Sequence, residues 1–218
     1  VRKQFIPDKR VAIFDVDYRF PSRKEIIVKG ATTSLDAKLA LLGGLKESHY
    51  QITDSMMLLP DSAALEGKTY GIVNLSVCNL RVEPDFSSEM TSQALLGMPV
   101  KVLQRDGWYR VQTPDDYIAW VHRVGVYPVT KQAYDEWNRA DKVVITSHYA
   151  FTYVNPDATS QTVSDVVAGN RLKWLGTAGD YYRVAYPDGR EAFVSKAASM
   201  PEKEWKAAVK QDAQSIIR

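Results

Sequence analysis

Short runs in which apolar and polar residues alternate dominate the chain, and turn residues close them off every few positions. Strict alternation puts every second side chain on one face, so such runs read as half-buried strands. Val100 to Leu103 and Trp108 to Gln112 flank an Asp106-Gly107 pair. That pair predicts a hairpin, because both turn positions favour positive φ. A second turn at Pro114-Asp115-Asp116 leads into Tyr117 to Val121, and Leu75 to Leu80 alternates as well. About five strands in roughly 55 residues, with turns this close, predict a small closed or half-closed barrel.

The pattern occurs twice. Pro84, Asp85, Ser88, Ser92, Gly97, Lys101 and Leu103 recur as Pro156, Asp157, Ser160, Ser164, Gly169, Lys173 and Leu175, at a constant offset of 72. After one inserted residue the offset becomes 73, and Tyr109, Arg110, Val111, Pro114, Asp115, Ala119 and Val121 recur as Tyr182, Arg183, Val184, Pro187, Asp188, Ala192 and Val194. Two ungapped blocks of this kind indicate a duplicated domain, with copies at residues 71–128 and 143–198. Two copies are too few for a solenoid.

Helical spacing appears elsewhere. Thr130 can cap a helix over Lys131 to Ala140 in the linker at 129–142, with Tyr134 and Trp137 on one face. Ser199-Met-Pro-Glu202 has the form of a capping box opening a C-terminal helix over 199–218. Trp205, Ala208, Val209, Ala213, Ile216 and Ile217 would give that helix an apolar stripe, whose packing partner is expected beyond Arg218. Residues 1–70 form a separate α+β unit: strands at Val11 to Phe20, Glu25 to Lys29 and Tyr50 to Leu59, and a helix from Ser34 to Leu45 ending near Gly43-Gly44. The expected arrangement is a ββαβ layer on the first barrel. The fold class is therefore mainly β: two tandem barrels, a small α+β extension and a C-terminal helix.

Composition narrows the function classes. The 218 residues include 28 basic and 26 acidic side chains, for a formal charge of +2. Neither the balance nor any Lys/Arg run makes an electrostatic case for nucleic acid or an anionic membrane. No apolar stretch approaches the ~18 residues of a transmembrane helix. The first residue is Val1, so a signal peptide is expected to have been removed. A single cysteine, Cys78, excludes an intramolecular disulfide and a cysteine-rich metal site. The three histidines lack metal-ligand spacing, and no cofactor is expected.

Three segments invite chemistry. Val11-Ala-Ile-Phe-Asp-Val-Asp17 resembles the strand-then-Asp-x-Asp opening of haloacid-dehalogenase-type phosphatases, with Asp15 in the place of the nucleophile. Arg19 departs from that pattern, and close-turned β sequence follows where alternating β and α is needed. Cys78 could be paired with His49, His122 or His148 as nucleophile and base, but it sits in an alternating strand and reads as a small core residue. The loop Arg81-Val-Glu-Pro-Asp-Phe-Ser-Ser-Glu89 is more informative, since loops on a rigid β scaffold are where small barrels bind ligands. Between the copies, scaffold residues match while polar ones diverge: Glu89 faces Gln161, Tyr117 faces Arg190, Glu83 faces Asn155 and Trp120 faces Phe193. Either copy one holds a carboxylate–phenol site that copy two lacks, or an exposed loop has drifted. Glu83 and Arg81 read as a surface pair.

Val73-Asn-Leu-Ser-Val-Cys-Asn-Leu-Arg81, Pro84, Ser88-Glu-Met, Gln93-Ala-Leu-Leu-Gly97, Gly107-Trp108, Val111-Gln-Thr-Pro-Asp115 and Tyr117-Ile-Ala-Trp-Val121 resemble the first bacterial SH3-like domain of NlpC-type cell-wall cysteine peptidases. The resembling group cleaves γ-D-glutamyl–diamino-acid bonds in murein peptides, including the dipeptidyl-peptidase VI type. Lys9-Arg-Val-Ala-Ile-Phe-Asp15 and Ala37-Lys-Leu-Ala-Leu-Leu42 fit its N-terminal extension, and Pro187-Asp-Gly-Arg190 fits its second SH3-like domain. The family's Asp-Cys-Ser-Gly catalytic segment is missing from the sequence, and Gln214-Ser-Ile-Ile-Arg218 resembles the start of the papain-like domain's first helix.

The resemblance implies a non-catalytic specificity region of a periplasmic or envelope peptidase, with a murein peptide as ligand and a papain-like catalytic domain expected C-terminal to Arg218. Glu89 and Tyr117 would help receive the free amine of an N-terminal L-Ala, with Ser88 and Trp120 shaping the wall. The alternative is a stand-alone binding module for wall peptides or a protein.

Overall fold

The structure, a computed structural model, describes residues 1–211. It is mainly β, with one small and two large sheets and few helices.

In the N-terminal unit, β1 (Phe14–Ser22) pairs antiparallel with β2 (Glu25–Thr32), and α2 (Leu35–Lys46) carries the chain over to β3 (Gln51–Leu58), parallel to β2. A four-residue turn of helix, α1 (Arg2–Phe5), precedes them. Ser34 caps α2 by accepting the Ala37 N–H, a bond worth about 1 kcal/mol. The helix does not end at Gly43-Gly44 but continues to Lys46. Leu41, Leu42 and Leu45 pack on the cluster of Ile6, Phe14, Val28, Ala37 and Met56, and that packing outweighs the ~1 kcal/mol helix penalty of each glycine.

Seven strands follow: β4 (Tyr70–Val73), β5 (Val77–Arg81), β6 (Met90–Leu95), β7 (Pro99–Asp106), β8 (Trp108–Gln112), β9 (Ile118–His122) and β10 (Val126–Val129). They form one antiparallel sheet in the order β10-β4-β7-β8-β9-β5-β6. In a flat sheet the two outer strands would lie roughly 29 Å apart. Here Val126 of β10 and Ala94 of β6 share one buried cluster with Val102, Val111 and Val121, so the sheet curls around its core.

After α3 (Lys131–Arg139), a second sheet comprises β11 (Lys142–Ile145), β12 (Tyr149–Tyr153), β13 (Thr162–Val167), β14 (Arg171–Ala178), β15 (Tyr181–Ala185), β16 (Glu191–Ser195) and β17 (Ser199–Pro201). Its order, β17-β11-β14-β15-β16-β12-β13, repeats the first strand for strand at offsets of 72 and then 73. Seven strands per sheet replace the expected five. The additions are the short flanking strands, whose pairing across the ends of each repeat no local pattern signals.

Thr130 caps α3 through the Ala133 N–H, and the Lys142 ammonium caps its other end on the Trp137, Asn138 and Ala140 carbonyls. The capping box at Ser199 does not form. Ser199 is buried in β17, opposite Ile145, and its hydroxyl donates to the Ser195 carbonyl. Helix α4 (Glu202–Gln211) begins after Pro201, and Glu202 receives Arg171 and Lys206. Within α4, Trp205 and Val209 are half-buried and Ala208 is exposed, while Ala213, Ile216 and Ile217 lie outside the described residues.

Two junctions tie the units. At the first, Ile13, Leu59 and Leu103 pack with Ala31 and Ile118, and the Ile118 N–H donates to the Arg10 carbonyl at 2.7 Å. At the second, the β6–β7 turn of the first sheet enters the second core: Leu96, 1% exposed, clusters with Val143, Leu172 and Val184. The Arg171 N–H donates to the Leu96 carbonyl, and the Trp137 indole donates to the Gly97 carbonyl.

Candidate functional site

The loop between β5 and β6 is held by its own polar atoms. The Val82 N–H reaches the Glu89 carbonyl at 3.1 Å, the Glu83 N–H reaches Ser88 Oγ at 2.9 Å, and Asp85 accepts from Ser87 at both backbone and hydroxyl. Those Ser87 bonds, the hydroxyl's first, hold the Asp85 carboxyl below its usual range. The second sheet repeats these loop bonds through Asn155, Asp157, Thr159 and Ser160, and there the Ser160 hydroxyl also donates to the Asn155 carbonyl at 3.3 Å. Ser88 is thus a loop fastener; its carbonyl also accepts from Arg81 Nη1. Arg81 is spent there, and no Arg81–Glu83 ion pair forms.

Tyr117 ends a tight turn in which the Thr113 N–H donates to the Tyr117 carbonyl at 2.9 Å and Asp116 adopts φ +65°. In the second sheet Gly189, at φ +90°, fills the position of Asp116. The turn and the loop deliver Tyr117 and Glu89 to one recess of about 440 Å³. Glu83, Thr91 and Val82 continue its loop side, while Arg2, Lys9, Arg10 and Asp15 of the N-terminal unit form the facing side. Side-chain atoms of Glu89, Glu83 and Tyr117 make no hydrogen bond or ion pair with another described residue. Most cations opposite are committed: Arg10 to Asp8 at 2.8 Å, and Arg110, at the recess edge, to Asp15 at 3.0 Å. The Arg10 side-chain hydrogen bond, with its backbone N–H, holds Asp8 down to about 2.

Glu89 and Tyr117 are therefore brought together, whereas Ser88 and Trp120 are not in the recess wall. Trp120 is buried beneath the Arg110 guanidinium, 5.5 Å from its ring centroid. At the equivalent turn of the second sheet, Arg190 bonds Asp188 and stacks on Tyr186 at 4.6 Å. The N-terminal contribution was not read as functional from the sequence; four cations among the first ten residues, Arg2, Lys3, Lys9 and Arg10, were the available signal.

Cys78 and His122 both line a separate recess of about 170 Å³, together with Phe86 and Trp108. Phe86, Trp108 and His122 stack pairwise at 4.8 to 5.1 Å. The thiol is buried and desolvation pushes it up to about 12, so at neutral pH it carries no thiolate to act as nucleophile. His49 packs on Tyr50 in the N-terminal unit, and His148 is exposed. Asp15 of the phosphatase-like segment sits in an antiparallel hairpin and is ion-paired to Arg110. Among the described residues no cluster of three His, Cys, Asp or Glu could hold a metal, and no helix is long and apolar enough to cross a membrane.

Residues 80–124, which include both Glu89 and Tyr117, match the family described as the bacterial dipeptidyl-peptidase SH3 domain. A solved NlpC/P60 family protein from Bacillus cereus is similar over 60% of this chain and 55% of its own, with 21% identity and a TM-score of 0.51, a likeness of fold. This chain thus spans about half the length of that protein. An NlpC/P60 endopeptidase from Photobacterium damselae subsp. piscicida aligns over 66% of this chain and 35% of its own, at 13% identity and a TM-score of 0.46. No curated protein matches the sequence.

Proposed function

We propose that this chain is the non-catalytic specificity region of an extracytoplasmic cell-wall cysteine peptidase, built from an N-terminal extension (1–70) and two tandem SH3-like domains (71–128 and 143–198). The match at 80–124 supports the first SH3 domain, and the repeated strand order supports the second as its duplicate. The parent reaction is hydrolysis of the γ-D-Glu–diamino-acid bond, carried out by a papain-like domain. This chain supplies one wall of the pocket that receives the free N-terminal L-Ala of a murein peptide.

The observation that carries this reading is the joint placement of an unpaired carboxylate, Glu89, and an unpaired phenol, Tyr117, on one recess inside the matched segment. A carboxylate neutralises an ammonium and accepts its N–H bonds, while a phenol oxygen accepts or donates one more. Acylation of the amine removes the charge and adds bulk, so a peptide still joined to glycan is excluded twice over. The second repeat lacks this pair, because Gln161 is neutral and Arg190, bonded to Asp188, stands where the phenol does.

The test is binding of L-Ala-γ-D-Glu-diaminopimelate, followed by chemical shift perturbation. Wild type should bind without cleaving it and should lose binding about tenfold on N-acetylation of the peptide. Glu89→Gln should lose a similar factor with an unchanged melting temperature. Equal binding of free and acetylated peptide, or turnover abolished by Cys78→Ala, overturns the reading.

A further inference from the structure

The loop between β5 and β6 carries Glu89 at one end and Phe86 at its tip. Phe86 is 66% exposed, yet its ring stacks on Trp108 at 4.8 Å and on His122 at 5.0 Å. Trp108 opens β8 and His122 closes β9, and the two are paired across the strands with ring centroids 5.1 Å apart. The tip of the loop therefore rests on a two-ring floor. The recess beside these rings, about 170 Å³, falls short of the roughly 300–1,000 Å³ of small-ligand sites, so the cluster reads as a clamp on the loop.

The second repeat has no such clamp. Ala158, Tyr181 and Ser195 stand at the positions of Phe86, Trp108 and His122, and Ala158 is exposed. Its loop nevertheless makes the same internal bonds, Val154 to Gln161 and Asn155 to Ser160. Those bonds join loop atoms to loop atoms, so they fix the loop's shape and leave its lean over the sheet free. At the loop's base, Arg81 bonds the Ser88 carbonyl, and Tyr153 replaces Arg81 in the second copy. The extra fastening thus occurs only in the copy whose loop presents a carboxylate to a recess.

We propose that Phe86 is a positioning residue for the ammonium site: clamped on Trp108 and His122, it holds the β5–β6 loop at the lean that presents Glu89 beside Tyr117. This rests on the ammonium-binding reading above. A loop closed by its own bonds moves as one body, so a contact at its tip limits the motion of Glu89, three residues away.

The experiment has a reading without ligand and one with it. Without peptide, backbone amide relaxation should show the 82–89 loop more rigid than its counterpart at 154–161. Phe86→Ala should erase most of that gap, and Phe86→Tyr should keep it. With L-Ala-γ-D-Glu-diaminopimelate, Phe86→Ala should bind about fivefold more weakly and Phe86→Tyr like wild type. All three should melt together, because the ring is largely exposed. In a Glu89→Gln background Phe86→Ala should cost nothing further. Equal rigidity of the two loops in wild type, or an undiminished Phe86→Ala loss in the Glu89→Gln background, overturns the proposal. If N-acetylated and free peptide bind alike while the rigidity gap still depends on Phe86, the ammonium reading fails and the clamp stands.

Discussion

At equivalent turns the two seven-stranded sheets place Tyr117 and Arg190, and at equivalent loop ends Glu89 and Gln161. The backbone bonds of loop and turn are the same in both: Val82 to Glu89 mirrors Val154 to Gln161, and Thr113 to Tyr117 mirrors Tyr186 to Arg190. What differs is where the polar side chains spend their bonds. Arg190 is neutralised by Asp188, which also accepts from Asn74 of the first sheet. Tyr117 and Glu89 stay unspent and open to a recess. One scaffold thus carries a docked, ion-paired turn in one copy and a turn open to a recess in the other, and side-chain bonding decides which.

Equivalent glycines give the sharpest way to break the symmetry. Gly97 and Gly169 share the left-handed conformation, at φ +85° and +87°. A Cβ at Gly97 would lie 2.0 Å from the Arg171 carbonyl oxygen, whereas one at Gly169 would meet only Leu95 Cδ1 at 3.0 Å. Gly97→Ala should cost roughly 3 kcal/mol or more, from the strained φ plus a clash with fixed backbone. Gly169→Ala should cost about 1–2 kcal/mol, since a Leu methyl can turn away. Urea unfolding of the two variants measures the gap; equal losses would mean that the turn does not seat as described.

A smaller effect separates Asp188 from Asp115. Burial opposes the Asp188 charge, but hydrogen bonds from Asn74 and from the Arg190 backbone and side chain outweigh it and hold its carboxyl below the usual range. A carboxyl depressed in the folded state stabilises above its unfolded value, near 3.9, and that contribution fades as pH falls through the folded value. Asp188→Asn should therefore flatten the loss of stability on acidification below about pH 4. Asp115, its equivalent in the first sheet, accepts only from Thr113 in its own turn and makes no bond across the junction.

The smallest difference is expected at the loop serines. Ser88→Ala and Ser160→Ala each remove the acceptor of one loop N–H, from Glu83 and Asn155. Each should lower stability by about 1 kcal/mol, Ser160→Ala slightly more because its hydroxyl also donates to the Asn155 carbonyl at 3.3 Å. A larger loss for Ser88→Ala would show that the loops are fastened differently.

The alternation of Val100 to Leu103 and Trp108 to Gln112 made the central hairpin legible, since local pattern and turn chemistry agree there. The same holds for the caps at Ser34 and Thr130. Ser199 misled because its capping spacing competes with a strand pairing to residues more than fifty positions away, which no window of sequence contains. Gly43-Gly44 misled because the packing of half-buried Leu45 on the N-terminal core outweighs helix propensity. At the candidate site, comparison of the copies marked Glu89, Tyr117, Glu83 and Trp120 as divergent, and the family resemblance singled out Glu89 and Tyr117 among them. The facing side of the recess, Arg2, Lys9, Arg10 and Asp15, stayed hidden because its place depends on the docking of residues 10–13 against β9.

Leu96 belongs by sequence to one repeat and by burial to the other. Separating the repeats would leave the second with an empty socket, and an unfilled Leu site costs about 2–5 kcal/mol. Neither half can then be exchanged for a foreign homologue unless the plug is exchanged with it. With the β6–β7 tip inside its neighbour's interior, the two sheets have to be kept or transplanted as a set for that interior to stay filled.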